Sequence, residues 1–245
     1  MNIEKHVIQT AKKYKEKPEE IFKKFIEMTY QLNATTTYDI KYKYLEAEQL
    51  EFRLLLLRAV RNKPFTDVLG EAMMDIISFD KKGLGQCMTP NDISHLLGSI
   101  QAEMHLRNCP NKQKINFGDD TGCGTGGLVL SALGRLMKSN AKTLNIFIND
   151  IDEMMVKIAL IQLQYNDGVH NPDKAKEVNI LAYNGNTLTG YDKPENLVFH
   201  PNVKLIQEPY VKGYYEHVDQ LQREDIFSTL LNRFKDTEQQ NNKAA

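Results

Sequence analysis

The stretch Ile115-Asn116-Phe117-Gly118-Asp119-Asp120-Thr121-Gly122-Cys123-Gly124-Thr125-Gly126-Gly127 decides how this chain is read. An apolar run ends in acid and opens into glycines, which let the backbone turn sharply and approach a ligand closely. The next residues, Leu128-Val129-Leu130-Ser131-Ala132-Leu133, read as a helix whose N-terminal amides face that ligand. A strand, loop and helix of this kind is built to hold a cofactor.

Working outward toward the C-terminus, strand-like and helix-like patterns alternate. Strands are expected over 115–118, 144–148 and 180–183, with helices from the glycines to about 137 and over 153–165. Such alternation indicates parallel strands joined by crossover helices, an α/β sheet whose ligands bind beyond the carboxyl ends of the strands. The residues at those ends are Asp119-Asp120, Asn149-Asp150 and Asn184-Gly185-Asn186-Thr187-Leu188. A further candidate strand, 203–206, ends in Gln207-Glu208-Pro209-Tyr210. A helix-like segment follows over 218–234, and 237–245 is too polar to pack and reads as a disordered tail.

Upstream the pattern is helical. Helices are expected over 3–14, from Pro18 with Ile21, Phe22, Phe25, Ile26 and Tyr30 at helical spacing, and over 42–59. Together they form a bundle or cap a sheet. Asn62-Lys63-Pro64 breaks the helix, and another is expected over 67–79 with an apolar stripe that reads as core. The loop Gly83-Leu84-Gly85-Gln86-Cys87-Met88-Thr89-Pro90 then leads to Asn91-Asp92, which suits the cap of a helix through Leu96, Leu97 and Ile100. His95 in that helix reads as a partly buried structural residue, because no second His or Cys stands at ligand spacing. The basic cluster around Lys12 to Lys17 reads as a solvated helix face or, alternatively, a phosphate contact. The division that follows is an N-terminal helical region over 1–65, an α/β domain over 66–236, and the tail.

Composition narrows the classes. With 31 basic and 32 acidic residues the formal charge of −1 gives no whole-protein argument for nucleic-acid binding, so such a function must come from motifs. Cys87, Cys109 and Cys123 are an odd set without metal-ligand spacing, which fits a reducing, cytoplasmic setting and implies no bound metal. The N-terminus lacks the apolar core of a signal peptide, and no apolar run approaches the ~20 residues needed to span a bilayer.

An acid at the end of the second strand accepts hydrogen bonds from both hydroxyls of a ribose, and Asp150 is that acid. The glycine turn lacks the Lys-Ser/Thr ending of a phosphate loop and has acid at its head. Acid repels a pyrophosphate and suits a cation such as the amino end of a methionine moiety, so S-adenosylmethionine is the expected ligand.

The run from Asp120 to Gly127 resembles the cofactor motif of N6-adenine DNA methyltransferases of the type I modification-subunit kind. Gln86-Cys87-Met88-Thr89-Pro90 looks like the motif with which that family closes over the methionine end. Val68-Leu69-Gly70-Glu71, Asn149-Asp150-Ile151-Asp152 and Gly185-Asn186-Thr187-Leu188 are similar to its lead-in helix and its second and third strand-end motifs. Short methylase-like proteins of phages and mobile elements are the nearest in pattern, over 67–188. The resemblance implies a Rossmann-like S-adenosylmethionine-dependent methyltransferase sheet. Thr89, Pro90, Asp120, Gly122, Gly124 and Gly126 would contact the methionine part, Asp150 the ribose, Ile151 the adenine face, and Asn186 the adenine amino edge. Each has a plainer alternative: Asn186 as a turn residue, Thr89-Pro90 as a helix start, Asp150 as a cap.

The match departs from the family in two places. Active relatives carry Asn, Asp or Ser, then Pro-Pro and an aromatic, at the end of the fourth strand, where the polar group orients the target amine and the aromatic stacks on a flipped base. Gln207, Glu208, Pro209 and Tyr210 stand there instead, with Gln207 one methylene longer and Glu208 adding negative charge. The chain also stops short of the three further strands of a complete sheet, which implies an exposed edge covered by self-association or by a partner protein. The expected function is methyl transfer to adenine in DNA; its alternative is a methyltransferase-like regulatory or binding protein that has lost methyl transfer and acts through a partner. Methylation of RNA or of a protein side chain is a third reading.

Overall fold

The computed structural model describes residues 1–35, 37–77, 88–107, 113–119 and 121–199. Three strands, β1 (Lys114–Asp119), β2 (Thr143–Asp150) and β3 (Glu177–Asn184), lie in parallel. A short fourth, β4 (Leu197–Phe199), adds antiparallel to β3 across a bulge, giving the order β1-β2-β3-β4. The chain adopts the α/β, Rossmann-like class that its alternation implies, with an N-terminal helical region. The strand at 197–199 was not expected, because three apolar residues following a Pro194–Asn196 turn are too short to show a period. The candidate strand 203–206, the segment 218–234 and the tail lie outside the described residues.

The helices follow local chemistry. In α1 (Ile3–Tyr14) the Asn2 side chain accepts from the Lys5 amide as an N-cap, and Lys15 closes the helix in the left-handed region at φ 57°. Helix α2 (Pro18–Thr35) opens with Pro18 and with Glu19 and Glu20 in the positively polarised first turn. The expected helix over 42–59 is divided. Asp39 accepts from the Lys41 amide and starts a 3-10 turn (Ile40–Leu45), after which α3 (Glu46–Asn62) follows directly. Helix α4 (Val68–Ile76) ends three residues before its expected end at 79, with Ile77 extended. Asn91 is the first residue of α5 (Asn91–Arg107), and its side-chain Nδ2 donates to Glu71 Oε1 at 2.6 Å. Helices α6 (Gly127–Leu136) and α7 (Glu153–His170) connect the strands. The last outruns its expected end at 165, and within it the Asn166 side chain donates to the Gln162 carbonyl one turn back at 2.8 Å.

Helix α7 sits at the centre. Met155, Ile158, Ile161 and Tyr165 join the core of α1 to α4, whereas Val156, Ala159, Leu160 and Leu163 join the core under the sheet. The N-terminal helices therefore form a bundle that packs against the α/β part through a shared helix. Ile115, Phe117, Leu144, Ile146, Ile148, Ile180 and Ala182 bury one face of the sheet. The other face is polar at its start: Asn145 donates to Asn116 at 2.7 Å, and Asn179 donates to Asn145 at 3.1 Å. Parallel sheets are normally covered on both faces; here the second face also carries Phe147, Leu181 and Tyr183, half-buried among the described residues.

Helix α5 lies against α6 through Ser94, Gly98 and Ala102. A Cβ at Gly98 would come within 2.6 Å of the Leu128 carbonyl oxygen and Ser131 Cβ, so a methyl there forces the two helices apart. Gly98→Ala is expected to cost about 1–3 kcal/mol, the usual range for overpacking, measured by chemical denaturation. Ile93, Leu96, Leu97, Ile100 and Met104, on another face of α5, remain exposed among the described residues. No helix among the described residues is long and apolar enough to cross a membrane.

Candidate functional site

The site is assembled at the carboxyl ends of β1, β2 and β3. Past β1, Asp119 Oδ1 accepts from the amide and hydroxyl of Thr121 at 3.2 and 3.0 Å, which starts the turn. The Cys123 amide then donates to the Asn149 carbonyl at 2.8 Å, and the Gly124 amide donates to Asp150 Oδ2 at 2.8 Å. Gly126 caps α6 at φ 92°, a region that favours glycine, and a Cβ there would stand 3.0 Å from that of Ala159. The glycine turn and the acid of the second strand, separate in sequence, thus meet directly.

Asp150 is half-buried, and its second oxygen accepts from the Asp152 amide at 2.9 Å. Each carboxylate oxygen carries two lone pairs, so both keep an acceptor position for a hydroxyl. Ile151, next along, is 59% exposed, an apolar side chain held out at the rim of the site. Asn149, buried, donates to the Gly185 carbonyl at 3.0 Å and to Thr187 Oγ1 at 3.2 Å, while accepting from the Gly185 amide at 3.0 Å. Asn184 donates to the carbonyls of Asp150 and Ile151 at 2.9 and 3.0 Å. Those bonds lock the third strand end onto the second. Asn186 is exposed, and its Oδ1 accepts from the Leu188 amide at 2.9 Å, capping a 3-10 turn (Thr187–Thr189). Thr89 and Pro90 are exposed just before α5, with the Ser94 amide bonded to the Pro90 carbonyl. Asp120, Gln207, Glu208, Pro209 and Tyr210 lie outside the described residues.

A buried knot that sequence reading missed supports the turn from behind. Asp67, 5% exposed, accepts from the Gly70 amide at 2.8 Å, from Gln162 Nε2 at 2.7 Å and from the Thr125 hydroxyl. Gln162, fully buried on α7, also donates to the Thr125 carbonyl at 2.8 Å and accepts from the Leu69 amide at 3.0 Å. The lead-in helix, the glycine turn and α7 are joined through these three side chains. The available signal was a Gln inside the apolar run of a helix, together with an Asp placed to start one. Burial pushes the Asp67 carboxyl above the usual carboxylate range, against the pull of its hydrogen bonds.

The Cys123 thiol is buried in the turn, and its burial, with the charges of Asp150 and Asp119, pushes its pKa up, so it is a poor nucleophile. His95 is exposed rather than partly buried, and its Nδ1 pairs with Ser131 Oγ at 3.0 Å, away from the strand ends. Among the described residues no group of three or more His, Cys, Asp or Glu is placed to hold a metal ion.

No model of a protein family matches the chain, and no curated protein matches it in sequence. Among solved structures it is similar to a Listeria monocytogenes protein assigned to the class I S-adenosylmethionine-dependent methyltransferases, with a TM-score of 0.46 and 16% identity. The match covers 73% of this chain and 50% of that one, so the chain spans about half the length of that protein.

Proposed function

We propose that the protein binds S-adenosylmethionine at the strand ends and belongs, by function, with methyltransferases that act on the N6 amino group of adenine in DNA. The observation that carries the cofactor reading is the bond from the Gly124 amide to Asp150. It sets a flexible-backbone turn beside an acid with spare acceptor positions, in a parallel sheet, where a ribose and an adjoining cationic group would sit. Asp150 would hold the ribose hydroxyls, the backbone of 122–126 with Asp119 the methionine end, Ile151 one face of the adenine ring, and Asn186 its amino edge through the second lone pair of Oδ1, the first being taken by the Leu188 amide. The bound sulfonium supplies an electrophilic methyl; the residues of the chain bind and orient. In this reading Gln207 orients the acceptor amine and Tyr210 stacks on its base.

Two measurements test it together. Purified chain is titrated with S-adenosylmethionine by calorimetry and, in parallel, incubated with radiolabelled cofactor and unmethylated DNA. The reading expects saturable heat and label recovered in adenine, with Gln207→Ala and Tyr210→Ala each cutting incorporation by about a hundredfold. Binding with background incorporation, unchanged in those variants, favours the second reading, a methyltransferase-like regulator. The replacement of the family's Asn/Asp/Ser-Pro-Pro-aromatic pattern by Gln207-Glu208-Pro209-Tyr210 supports that second reading. Absence of binding at millimolar cofactor removes the first reading.

A further inference from the structure

We infer that a cleft in the N-terminal helical region is a second ligand site, built for a small organic carboxylate that also carries a hydroxyl or amine donor. The cleft measures about 660 Å³ and opens between α1, the end of α2, the 3-10 turn and α3. That volume lies within the usual range for small-molecule sites, about 300–1,000 Å³. None of its lining residues belongs to the strand ends, so the inference stands apart from the cofactor reading.

Two buried polar groups in its wall select the ligand. Arg53 is 8% exposed and Gln49 2%, and as i+4 and i on α3 they share one face of the helix. Arg53 Nε donates to the Tyr165 hydroxyl at 3.1 Å, while its Nη2, cut off from bulk water, has no partner among the described residues. Gln49 Nε2 donates to Thr29 Oγ1 at 2.7 Å, and its Oε1 receives no donor among them. A guanidinium held out of water is costly unless an anion answers it. The acids of the cleft are engaged elsewhere: Glu48 pairs with Lys13 and accepts from the Tyr14 hydroxyl, and Glu46 is exposed and interacts with the Tyr38 hydroxyl. Water would answer the hydrogen bonds but not the charge. A carboxylate set end-on against the Arg53 fork supplies both acceptor and charge. A donor on the same molecule then meets Gln49 Oε1, at roughly the 5–6 Å that separates i and i+4 side chains. Half-buried Leu32, Tyr38 and Leu50 give the body of the ligand an apolar wall, and exposed Lys43 favours the approach of an anion. The negative charges of Glu46 and Glu48 oppose a dianionic phosphate more than a carboxylate.

The test is calorimetric titration of the full chain with 3-hydroxybenzoate, which sets a carboxylate and a hydroxyl on an apolar ring. Saturable one-to-one heat with a Kd of about 1 mM or tighter is expected. Benzoate, which leaves Gln49 unanswered, should bind several-fold more weakly, and inorganic phosphate should give no saturable heat. Arg53→Met keeps an unbranched side chain without the charge and is expected to abolish the heat. Ala47→Trp, at an exposed position lining the cleft, narrows it without touching the core and should weaken binding by at least about tenfold. Where Arg53→Met fails to fold, Ala47→Trp decides. No saturable heat with 3-hydroxybenzoate, affinity retained in either variant, or phosphate binding as tightly as the acid overturns the inference. S-adenosylmethionine is titrated beside it; a chain that binds the acid but not that ligand fails the cofactor reading alone.

Discussion

Asp150→Ala is expected to weaken S-adenosylmethionine binding by about a hundredfold or more while leaving the ligand-free protein folded. The carboxylate accepts from the Gly124 and Asp152 amides and keeps one acceptor position on each oxygen. Hydrogen bonds from hydroxyls to a charged acceptor contribute about 1.5–3 kcal/mol each, so losing two amounts to at least about 3 kcal/mol, or two orders of magnitude in Kd. The substitution also releases the Gly124 amide, so the turn keeps only the bond of the Cys123 amide to the Asn149 carbonyl at the second strand. Asp150→Asn, which keeps one acceptor oxygen, is expected to fall between the two. The check is calorimetric titration of all three proteins, with thermal melting of each without ligand. Wild-type affinity in the alanine variant would refute the ribose role and with it the placement of the cofactor.

The second large effect concerns stability. Asp67→Ala removes the acceptor for the Gly70 amide, the Gln162 amide group and the Thr125 hydroxyl in a place without access to water. A buried donor left unpaired costs about 1–3 kcal/mol, and removal of the desolvated acid returns part of that, for a net loss of about 3 kcal/mol. At this chain length that lowers Tm by about 6–12 °C. Asp67→Asn keeps the shape and one acceptor oxygen and is expected to be far milder, but it changes the pH response. Burial is the largest influence on the Asp67 carboxyl and raises its folded pKa above the unfolded value near 3.9; the nearby Glu71 charge adds to the rise, and the three hydrogen bonds oppose it. The folded state therefore binds the proton more tightly than the unfolded one. Its contribution is complete below the unfolded pKa and is lost as pH rises through the folded one. Wild type should thus lose stability over that window relative to Asp67→Asn, whose denaturation midpoint should vary less with pH there. Parallel pH profiles of the two proteins would sink the argument.

Much of the site could be read from residues alone because its parts are local. Asp119, the glycines to Gly126, Asn149-Asp150 and Asn186 each stand at the end of a strand whose apolar run is visible in sequence, and strand ends in a parallel sheet converge by topology. The supporting knot was not visible. Asp67, Thr125 and Gln162 come from three distant segments, and nothing in the spacing of any one of them announces the other two. Asn186 shows a further limit: as a turn cap and as an adenine contact it looks the same in sequence, and the structure places its Oδ1 on the Leu188 amide.

By itself the sequence determined the order and kind of the main elements, because hydrophobic period, capping residues and glycine breaks act over a few residues. The same local rules made the glycine turn and left Asp150 at a strand end. Only the tertiary structure decided that α7 serves two cores, that Asn116, Asn145 and Asn179 bond to one another across three strands, and that β4 turns back beside β3. It also decided that α5 packs through its small residues and leaves its large apolar ones outward. Gly98 permits a close approach to α6 that any side chain would block, and burial against a neighbour depends on shape across the contact, which periodicity along one helix does not encode.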